Sequence, residues 1–447
     1  MLALLKGTIL AATVLASTVA PAQQATTFSQ VALSAQVSGT TVTASATVFA
    51  STQTTAQSYG VCVRDSAGGN GDFALSSNIV IATSGTSVTE VKSFAKGAYS
   101  YVPCVQASGT WVNVGASKVF TVTDAPASQT LNPMSGIAIP GTHLAFESQA
   151  DLDHELSLVA ASGSKWLRFD VAATQIETSS GVRYWSNIDR VVSSAQAHGL
   201  TPLGVLTTLP AWSVSTWYTG PTTAAQRTAF ASFAQAAAAH FSGTIGYWEV
   251  WNEPNNPTFW RNPSIKDYTL LIKAAYPAIK AGNASANVLM GGTAGGQSAP
   301  NNTEAWLTGL YANGGKAYFD SANIHPYPDG GTTLNPSSGE MSHIANLRAT
   351  MAKNGDSTKI IFGTETGFPT AGSNSTTEAG QATLLSGLFA YWKSAAGSQQ
   401  GPLLVYTLRD LPGADDREAW FGLVRNDFSA KPAFATLTAI NAAATGH

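Results

Sequence analysis

Two glutamates stand where an acid and a base could work as a pair. Glu253 follows the aromatic run Gly246-Tyr247-Trp248-Glu249-Val250-Trp251-Asn252, and Glu365 follows Ile360-Ile361-Phe362-Gly363-Thr364. Both runs read as buried strands, and Pro254 stops the first because proline cannot donate to a sheet ladder. Opening an acetal requires protonation of the leaving oxygen and support for an oxocarbenium-like centre. Two carboxyls in opposite protonation states supply both. Glu365, with small neighbours that leave room for a ring, reads as the ionised nucleophile. Glu253 reads as the acid in the first step and the base in the second. Trp248, Trp251 and Trp260 are expected to hem Glu253 in, which favours its neutral form and suits it to proton donation near neutral pH. An isolated strand-end Glu more often pairs with a neighbouring cation; the Asn-Glu-Pro setting reverses that preference.

The two carboxyls can share a site only if their strands open at the same end of one sheet. From residue 131 onward, apolar strands alternate with longer helical patterns, which argues for repeated βα units. Strands are predicted at 136–140, 166–171, 201–209, 245–253, 287–292, 322–325, 359–365 and 403–408. Eight strands with polar residues at their carboxyl ends predict an α/β fold, a (β/α)8 TIM barrel over 131–447 with its chemistry at the C-terminal mouth. Glu253 then ends the fourth strand and Glu365 the seventh.

The front of the chain has a different texture. Residues 23–124 show period-two runs at 31–37, 41–49, 59–64, 78–82, 87–94, 100–106 and 118–122, separated by turn residues. Seven short strands predict a small all-β, Ig-like sandwich. Residues 125–130 read as a linker. Tyr99, Tyr101 and Trp111 are candidates for a sugar-binding face, although packing is the commoner role for such aromatics. Cys62 and Cys104 are the two cysteines of the chain. Residues 1–22 read as a secretory signal, with Lys6, an apolar run and the Ala20-Pro21-Ala22 cleavage site. An oxidising, extracellular destination then predicts a disulfide between the two.

Composition narrows the partners. The 447 residues are 44% hydrophobic and 11% charged, with net charge −3. Without a basic surplus there is no expectation of nucleic acid or anionic membrane as partner. No later segment has an apolar run long enough to span a bilayer. No cofactor is expected, and the protein is expected to be a monomer acting on a polysaccharide or oligosaccharide.

Trp-Glu-Val-Trp-Asn-Glu-Pro at 248–254 together with Gly-Thr-Glu-Thr-Gly at 363–367 resembles clan A of the retaining glycoside hydrolases. Trp166-Leu167-Arg168-Phe169-Asp170, Leu209-Pro210-Ala211-Trp212, His325-Pro326-Tyr327 and Phe421-Gly422-Leu423-Val424 add to it. Over roughly 133–436 the chain is most similar to glycoside hydrolase family 39 and its exopolysaccharide-hydrolase relatives. The resemblance implies that Asn252 binds the 2-hydroxyl of the sugar at the cleavage point and that His325 and Tyr327 line the pocket. It implies that Arg168 holds Glu365 ionised, an ion pair with Asp170 or Glu249 being the alternative. Trp212, Trp217, Trp260 and Trp420 are candidate stacking platforms. Ala172-Ala173-Thr174 departs from the pattern, because a Trp is expected after the second strand. Loops of moderate length at 210–222, 254–264 and 326–337 favour an open cleft and endo action over exo action of the β-xylosidase type. Rival readings are a non-catalytic carbohydrate-binding barrel and a metal hydrolase using His143, His325 and Asp170, whose scattered spacing is a weak metal signal.

Overall fold

The computed structural model describes residues 26–445 apart from 39–40, 123–134, 215, 217, 329–333, 336–338 and 412–416. The leader expected at 1–22, the linker at 125–130 and Trp217 therefore lie outside the described residues. The chain divides into two compact units, Met1–Thr130 and Leu131–His447.

The first unit is a pair of antiparallel sheets. Its strands are β1 (Phe28–Ser38), β2 (Thr41–Ala50), β3 (Thr54–Asp65), β4 (Ser76–Ile81), β5 (Thr86–Ser93), β6 (Gly97–Ala107), β7 (Thr110–Asn113) and β8 (Lys118–Val122). One sheet runs β1-β2-β5, the other β4-β3-β6-β7, with β8 also on β6. Strict alternation drives this. Val42, Ala44, Ala46 and Val48 are buried, as are Tyr59, Val61 and Val63 of the facing sheet. The residues between them turn outward, where Ser45 meets Thr89 and Thr47 meets Ser87, each at 2.8 Å. Such cross-strand hydroxyl pairs support the register. β7 escapes the sequence pattern because all four of its residues are exposed, so no period-two signal marks it. Tyr101 is buried and Tyr99 stacks on Phe120 at 5.2 Å, so neither forms a sugar-binding face. Trp111 stays exposed on β7.

Cys62 on β3 and Cys104 on β6 form the disulfide, with Cα atoms 5.7 Å apart across neighbouring strands.

The second unit is the barrel. Its strands are β9 (Ser135–Ala138), β10 (Trp166–Ala172), β11 (Thr201–Thr207), β12 (Tyr247–Val250), β13 (Asn287–Met290), β14 (Ala322–Ile324), β15 (Ile361–Thr366) and β16 (Gln400–Tyr406). They pair in parallel in the order β13-β12-β11-β10-β9-β16-β15-β14. Bridges Leu289–Ser321 and Thr293–Ile324 bring the two ends together. The intervening helices start on side-chain caps. Ser148, Ser264, Asn302 and Thr377 each accept the backbone N–H three residues on, and Thr223 and Gln226 form a capping box. Each cap satisfies a donor that the first helical turn leaves free.

Inside the barrel the period of two stacks layers. Trp166, Tyr247 and Phe362 meet in the lower layer, Trp166 lying 4.6 Å from Tyr247 and 5.7 Å from Phe362. Two residues on along β10 and β12 come Arg168 and Glu249, the layer above. Trp248 and Val250 have the opposite parity and join the outer core against the helices.

The mouth is tied where the first strand meets the last. His143 and Glu147 follow β9, and Arg409 follows β16. His143 Nε2 lies 3.0 Å from Glu147 and 3.1 Å from Glu155; Arg409 Nε lies 2.6 Å from Glu155, and Arg409 also pairs with Glu147. Burial disfavours the His143 charge, but the two carboxylates outweigh it and push the imidazole up to about 9. The three donor atoms of His143, Glu147 and Glu155 are close enough to hold an ion, yet Arg409 already engages both carboxylates. His325 and Asp170 belong to other networks, so the metal triad of the sequence reading is not assembled. Among the described residues no helix is long and apolar enough to cross a membrane.

Two outcomes follow for solution work. The disulfide closes a loop with sequence separation 42. Its loss should cost the sandwich up to about 4 kcal/mol by the chain-entropy model. Mass spectrometry without reductant should find no alkylatable thiol, and Cys62→Ala/Cys104→Ala should lower the melting temperature of the sandwich transition alone. His143 gains a proton affinity on folding, so its stabilisation is complete below its ordinary value of about 6.5 and disappears as pH rises through about 9. Thermal melts of His143→Gln against the parent chain should therefore differ most at pH 6 and converge above pH 9.

Candidate active site

The site begins with a break in β12. The sequence pattern extends this strand to 253, but the ladder ends at Val250. Trp251 and Glu253 then take positive φ, 72° and 42°, a region that non-glycine residues rarely enter. Such a conformation costs on the order of 1–3 kcal/mol per residue and needs external support. The support is visible. Trp251 N–H donates to Leu206 O at 2.9 Å, its indole N–H donates to Phe259 O at 3.1 Å, and Tyr268 Oη donates to Val250 O at 3.1 Å.

The break settles where the tryptophans go. Trp251 packs on Trp260 at 5.4 Å and on Phe230 at 5.8 Å, outside the barrel wall. Trp248 packs against Phe241. Neither surrounds Glu253 in the way the sequence reading supposed. Trp260 is fully buried, with Gly220 so close that a Cβ there would come 2.0 Å from the indole, so it cannot serve as a sugar platform.

Arg168 gathers the centre. Its Nε and Nη2 donate to the two oxygens of Glu249 at 2.8 and 3.1 Å. Nη2 also donates to Asn252 Oδ1 at 2.7 Å, and Nη1 donates to Glu365 Oε2 at 3.1 Å. The two alternatives for Arg168 are thus combined in one side chain, with Glu249 as the bidentate partner. Asp170 instead accepts the Gly141 N–H at 3.3 Å.

His325 links the two glutamates. Its Nδ1 lies 2.9 Å from Glu253 Oε1 and 3.5 Å from Glu365 Oε2. One oxygen of each carboxylate therefore lies beside the same imidazole nitrogen. Nε2 lies 3.1 Å from Thr364 Oγ1, which donates onward to Asn323 Oδ1 at 2.9 Å. Gly292 is obligatory here. Its N–H donates to Glu249 Oε1 at 3.0 Å, and a Cβ would stand 2.2 Å from His325 Nε2. Tyr327 Oη donates to Glu365 Oε1 at 2.9 Å, and Asn256 Nδ2 donates to Glu253 Oε2 at 2.7 Å.

Charge follows from these contacts. Burial alone would neutralise Glu249, but Arg168 and His325 overcome it and hold the carboxyl down at about 2. Burial likewise opposes the charge on His325, and Glu365, Glu249 and Glu253 together push it up to about 9. Glu365 is pushed up by burial, opposed by the His325 and Arg168 charges and the Tyr327 bond, and pushed further by the negative charge of Glu253.

The structure thus brings Glu253, Glu365, Arg168, Asn252, His325 and Tyr327 into one hydrogen-bonded centre. Glu249, expected above as one alternative partner of Arg168, joins it with the inward parity of Tyr247, and Asn256, Thr364 and Asn323 join it unannounced by the sequence. Trp212 and Trp420 lie outside that centre. Trp212 is exposed on the loop after β11. Trp420 borders a separate cavity of about 390 Å³ with Thr370, Asp410 and Arg425.

The cellulase family (glycosyl hydrolase family 5) matches by its sequence profile over residues 128–395. No curated protein matches the chain by sequence. Solved structures with a similar fold include a family 39 glycoside hydrolase from Bacteroides cellulosilyticus WH2, at 20% identity and TM-score 0.57, covering 88% of this chain and 79% of that one. A monomeric β-xylosidase from Caulobacter crescentus CB15 is 18% identical with TM-score 0.56, covering 70% of this chain and 68% of that one. A subfamily 18 member of glycoside hydrolase family 5 from Streptomyces cattleya, solved with GlcNAc, is 16% identical with TM-score 0.55, covering 71% and 81%. At such identities the likeness is one of fold. The family profile, by contrast, runs over both the Asn-Glu-Pro and the Thr-Glu-Thr-Gly segments, and with the barrel it makes this chain a member of the cellulase family, glycosyl hydrolase family 5, a clan A glycoside hydrolase.

Proposed function

We propose that the chain is a secreted, retaining glycoside hydrolase that cleaves within a β-linked polysaccharide by double displacement. The observation that carries this reading is the convergence of Arg168, Tyr327 and His325 on Glu365 while His325 also bonds Glu253. Arg168 and Tyr327 oppose the burial that raises the Glu365 pKa, and in this reading Glu365 attacks the anomeric carbon as Glu253 gives its proton to the departing oxygen. The glycosyl–Glu365 ester then breaks as water attacks the same carbon and Glu253 takes the proton of that water. Asn252, with its Oδ1 held by Arg168, keeps its Nδ2 donors for the 2-hydroxyl. The disulfide supports an oxidising destination. The β-xylosidase from Caulobacter crescentus and a xylanase from Thermotoga petrophila solved with xylobiose support a β-linked substrate. An exposed Trp212 supports endo action, because interior cleavage uses contacts with several sugar units.

Secreted full-length protein should release oligosaccharides of mixed length from at least one of xylan, glucomannan and carboxymethylcellulose, with activity unchanged by EDTA. Release of monosaccharide alone would establish exo action, and no cleavage of any β-glycan would overturn the substrate class. Glu365→Ala should abolish turnover of every substrate, a loss of about 10⁴-fold or more given the free-energy scale of a missing nucleophile. Glu253→Ala should spare the first step for an activated aryl glycoside and be rescued by azide as the retained glycosyl azide. Azide with Glu365→Ala should give the inverted product instead, and the reverse pattern by NMR would exchange the two roles.

Tyr327→Phe carries a pH signature. The Tyr327 bond lowers the Glu365 pKa, so its removal should raise it. The acid limb of kcat/KM should therefore move to higher pH, along with a loss of about 10-fold or more in kcat. An unmoved acid limb would show that another group controls it.

A further inference from the structure

His325 is engaged at both ring nitrogens, and the two sides differ in kind. Nδ1 faces the reacting carboxyls, 2.9 Å from Glu253 Oε1 and 3.5 Å from Glu365 Oε2. Nε2 faces the hydroxyl of Thr364 at 3.1 Å. A hydroxyl has a single hydrogen, and Thr364 donates its own to Asn323 Oδ1 at 2.9 Å. Toward Nε2 it can therefore only accept. His325, Thr364 and Asn323 are all sealed from solvent, so no bulk water competes for these contacts. Glu249 Oε1 stands 3.8 Å from Nε2, too far to take its proton. Asn323 Nδ2 has no acceptor among the described residues, so the amide acts here through its carbonyl oxygen.

The consequence lies at the other nitrogen. With hydrogen fixed on Nε2, a neutral imidazole turns a bare lone pair at Nδ1 toward Glu253. The opposite tautomer would turn an N–H there. A lone pair favours the protonated carboxyl of Glu253, and an N–H favours its anion. Asn256 Nδ2 takes the other oxygen, Oε2, at 2.7 Å, which leaves Oε1 to His325. The charges around the ring come from Glu249 and Glu253 of β12 and the turn after it, from Glu365 of β15 and from Arg168 of β10. The carboxylates favour a proton on His325 and Arg168 opposes it. Asn323, on β14, is neutral. It fixes the direction of the Thr364 hydroxyl without adding a further negative charge.

We propose that Thr364 and Asn323 are positioning residues that pin one proton on His325 Nε2, so that His325 and Glu253 together hold a second proton on the line from Nδ1 to Oε1. That second proton lies either on the carboxyl beside a neutral imidazole or on the imidazolium beside a carboxylate, and the charge of the pair is the same in both. The pair gives it to the departing oxygen and regains it from the attacking water, so each turnover ends as it began. This rests on the reading of Glu253 as the acid and base given above.

Nitrogen NMR reads the pin directly. The seven histidines of the chain are labelled with ¹⁵N, and His325 is assigned by the signals lost in His325→Gln. From about pH 6 to about pH 10, a range that spans the titration of this ring, the Nδ1 signal should move and Nε2 should stay that of a protonated nitrogen. Thr364→Val removes the acceptor at nearly constant volume, and the neutral ring should change to the Nδ1–H tautomer. Asn323→Leu should reach the same tautomer by another route, because the Thr364 hydroxyl, deprived of its carbonyl, donates to Nε2. Both variants should move the basic limb of kcat/KM to lower pH by about one unit or more, the shift expected when one hydrogen bond to a charged group is lost. Thr364→Ser should restore the Nε2–H tautomer and the position of the limb. A structural defect would lower kcat with the limb unmoved. If Thr364→Val does not fold, Asn323→Leu carries the test. An Nδ1–H tautomer in the parent chain, or an Nε2–H tautomer kept in the folded variants, would overturn the proposal, as would a changed tautomer with an unmoved limb. The NMR result holds whether or not a glycan is cleaved: a pinned Nε2 proton in a chain without glycosidase activity would overturn the acid and base reading of Glu253, and with it the purpose proposed for the pin.

Discussion

The barrel's mouth depends on one buried cation. Arg168 stands nearly sealed from solvent and spends four donor contacts on three acceptors, two on Glu249 and one each on Asn252 and Glu365. Removing a guanidinium from water is costly, and the cost is recovered only where geometry and remaining hydrogen bonds are nearly complete. Here the planar fork meets Glu249 bidentately and still reaches Asn252 just past the same strand and Glu365 on β15. Lysine offers a single point charge and could not hold three directions at once. Arg168 on β10 is thus one of the two charges, with His325, that oppose the effect of burial on Glu365.

That arrangement explains why two carboxylates beside each other do not simply repel. Glu249 is held ionised and acts as the permanent counterion of Arg168. His325 stands between Glu253 and Glu365, in contact with both. Arg168 bonds Glu249 and Glu365 together, and His325 joins Glu365 to Glu253. Positive φ at Trp251 and Glu253 turns the end of β12 so that Glu253 meets His325 and Asn256 rather than continuing the strand's alternation. Backbone strain at such a position is tolerated because Tyr268, Leu206 and Phe259 hold its neighbours.

Family and fold contribute differently to this picture. The profile of family 5 and solved structures of families 5 and 39 converge on one scaffold. A (β/α)8 barrel hosts many chemistries, and the scaffold alone would decide little. The residues that meet at the centre lie at or just past strand ends.

Much was legible without coordinates because it depended on periodicity. Alternation in 23–124 marks strands, and apolar runs separated by helical lengths mark eight βα units, with Glu253 and Glu365 at strand ends. The pairing of Cys62 with Cys104 needed only a count of two and a compartment. What stayed hidden depended on direction. Which of Tyr247, Trp248 and Glu249 faces inward is a matter of pleat parity within a closed barrel, and that placed Glu249 on Arg168 and Trp248 among the helices. Trp260 looked like a platform until Gly220 was found pressed against its ring. β7 was missed because an exposed strand carries no hydrophobic pattern. His325 could be assigned to the pocket, but its contact with both glutamates comes from three strands, β12, β14 and β15, converging at one point. Local sequence specifies the strands and their order; only closure of the barrel sets the distances among side chains that lie far apart along the chain.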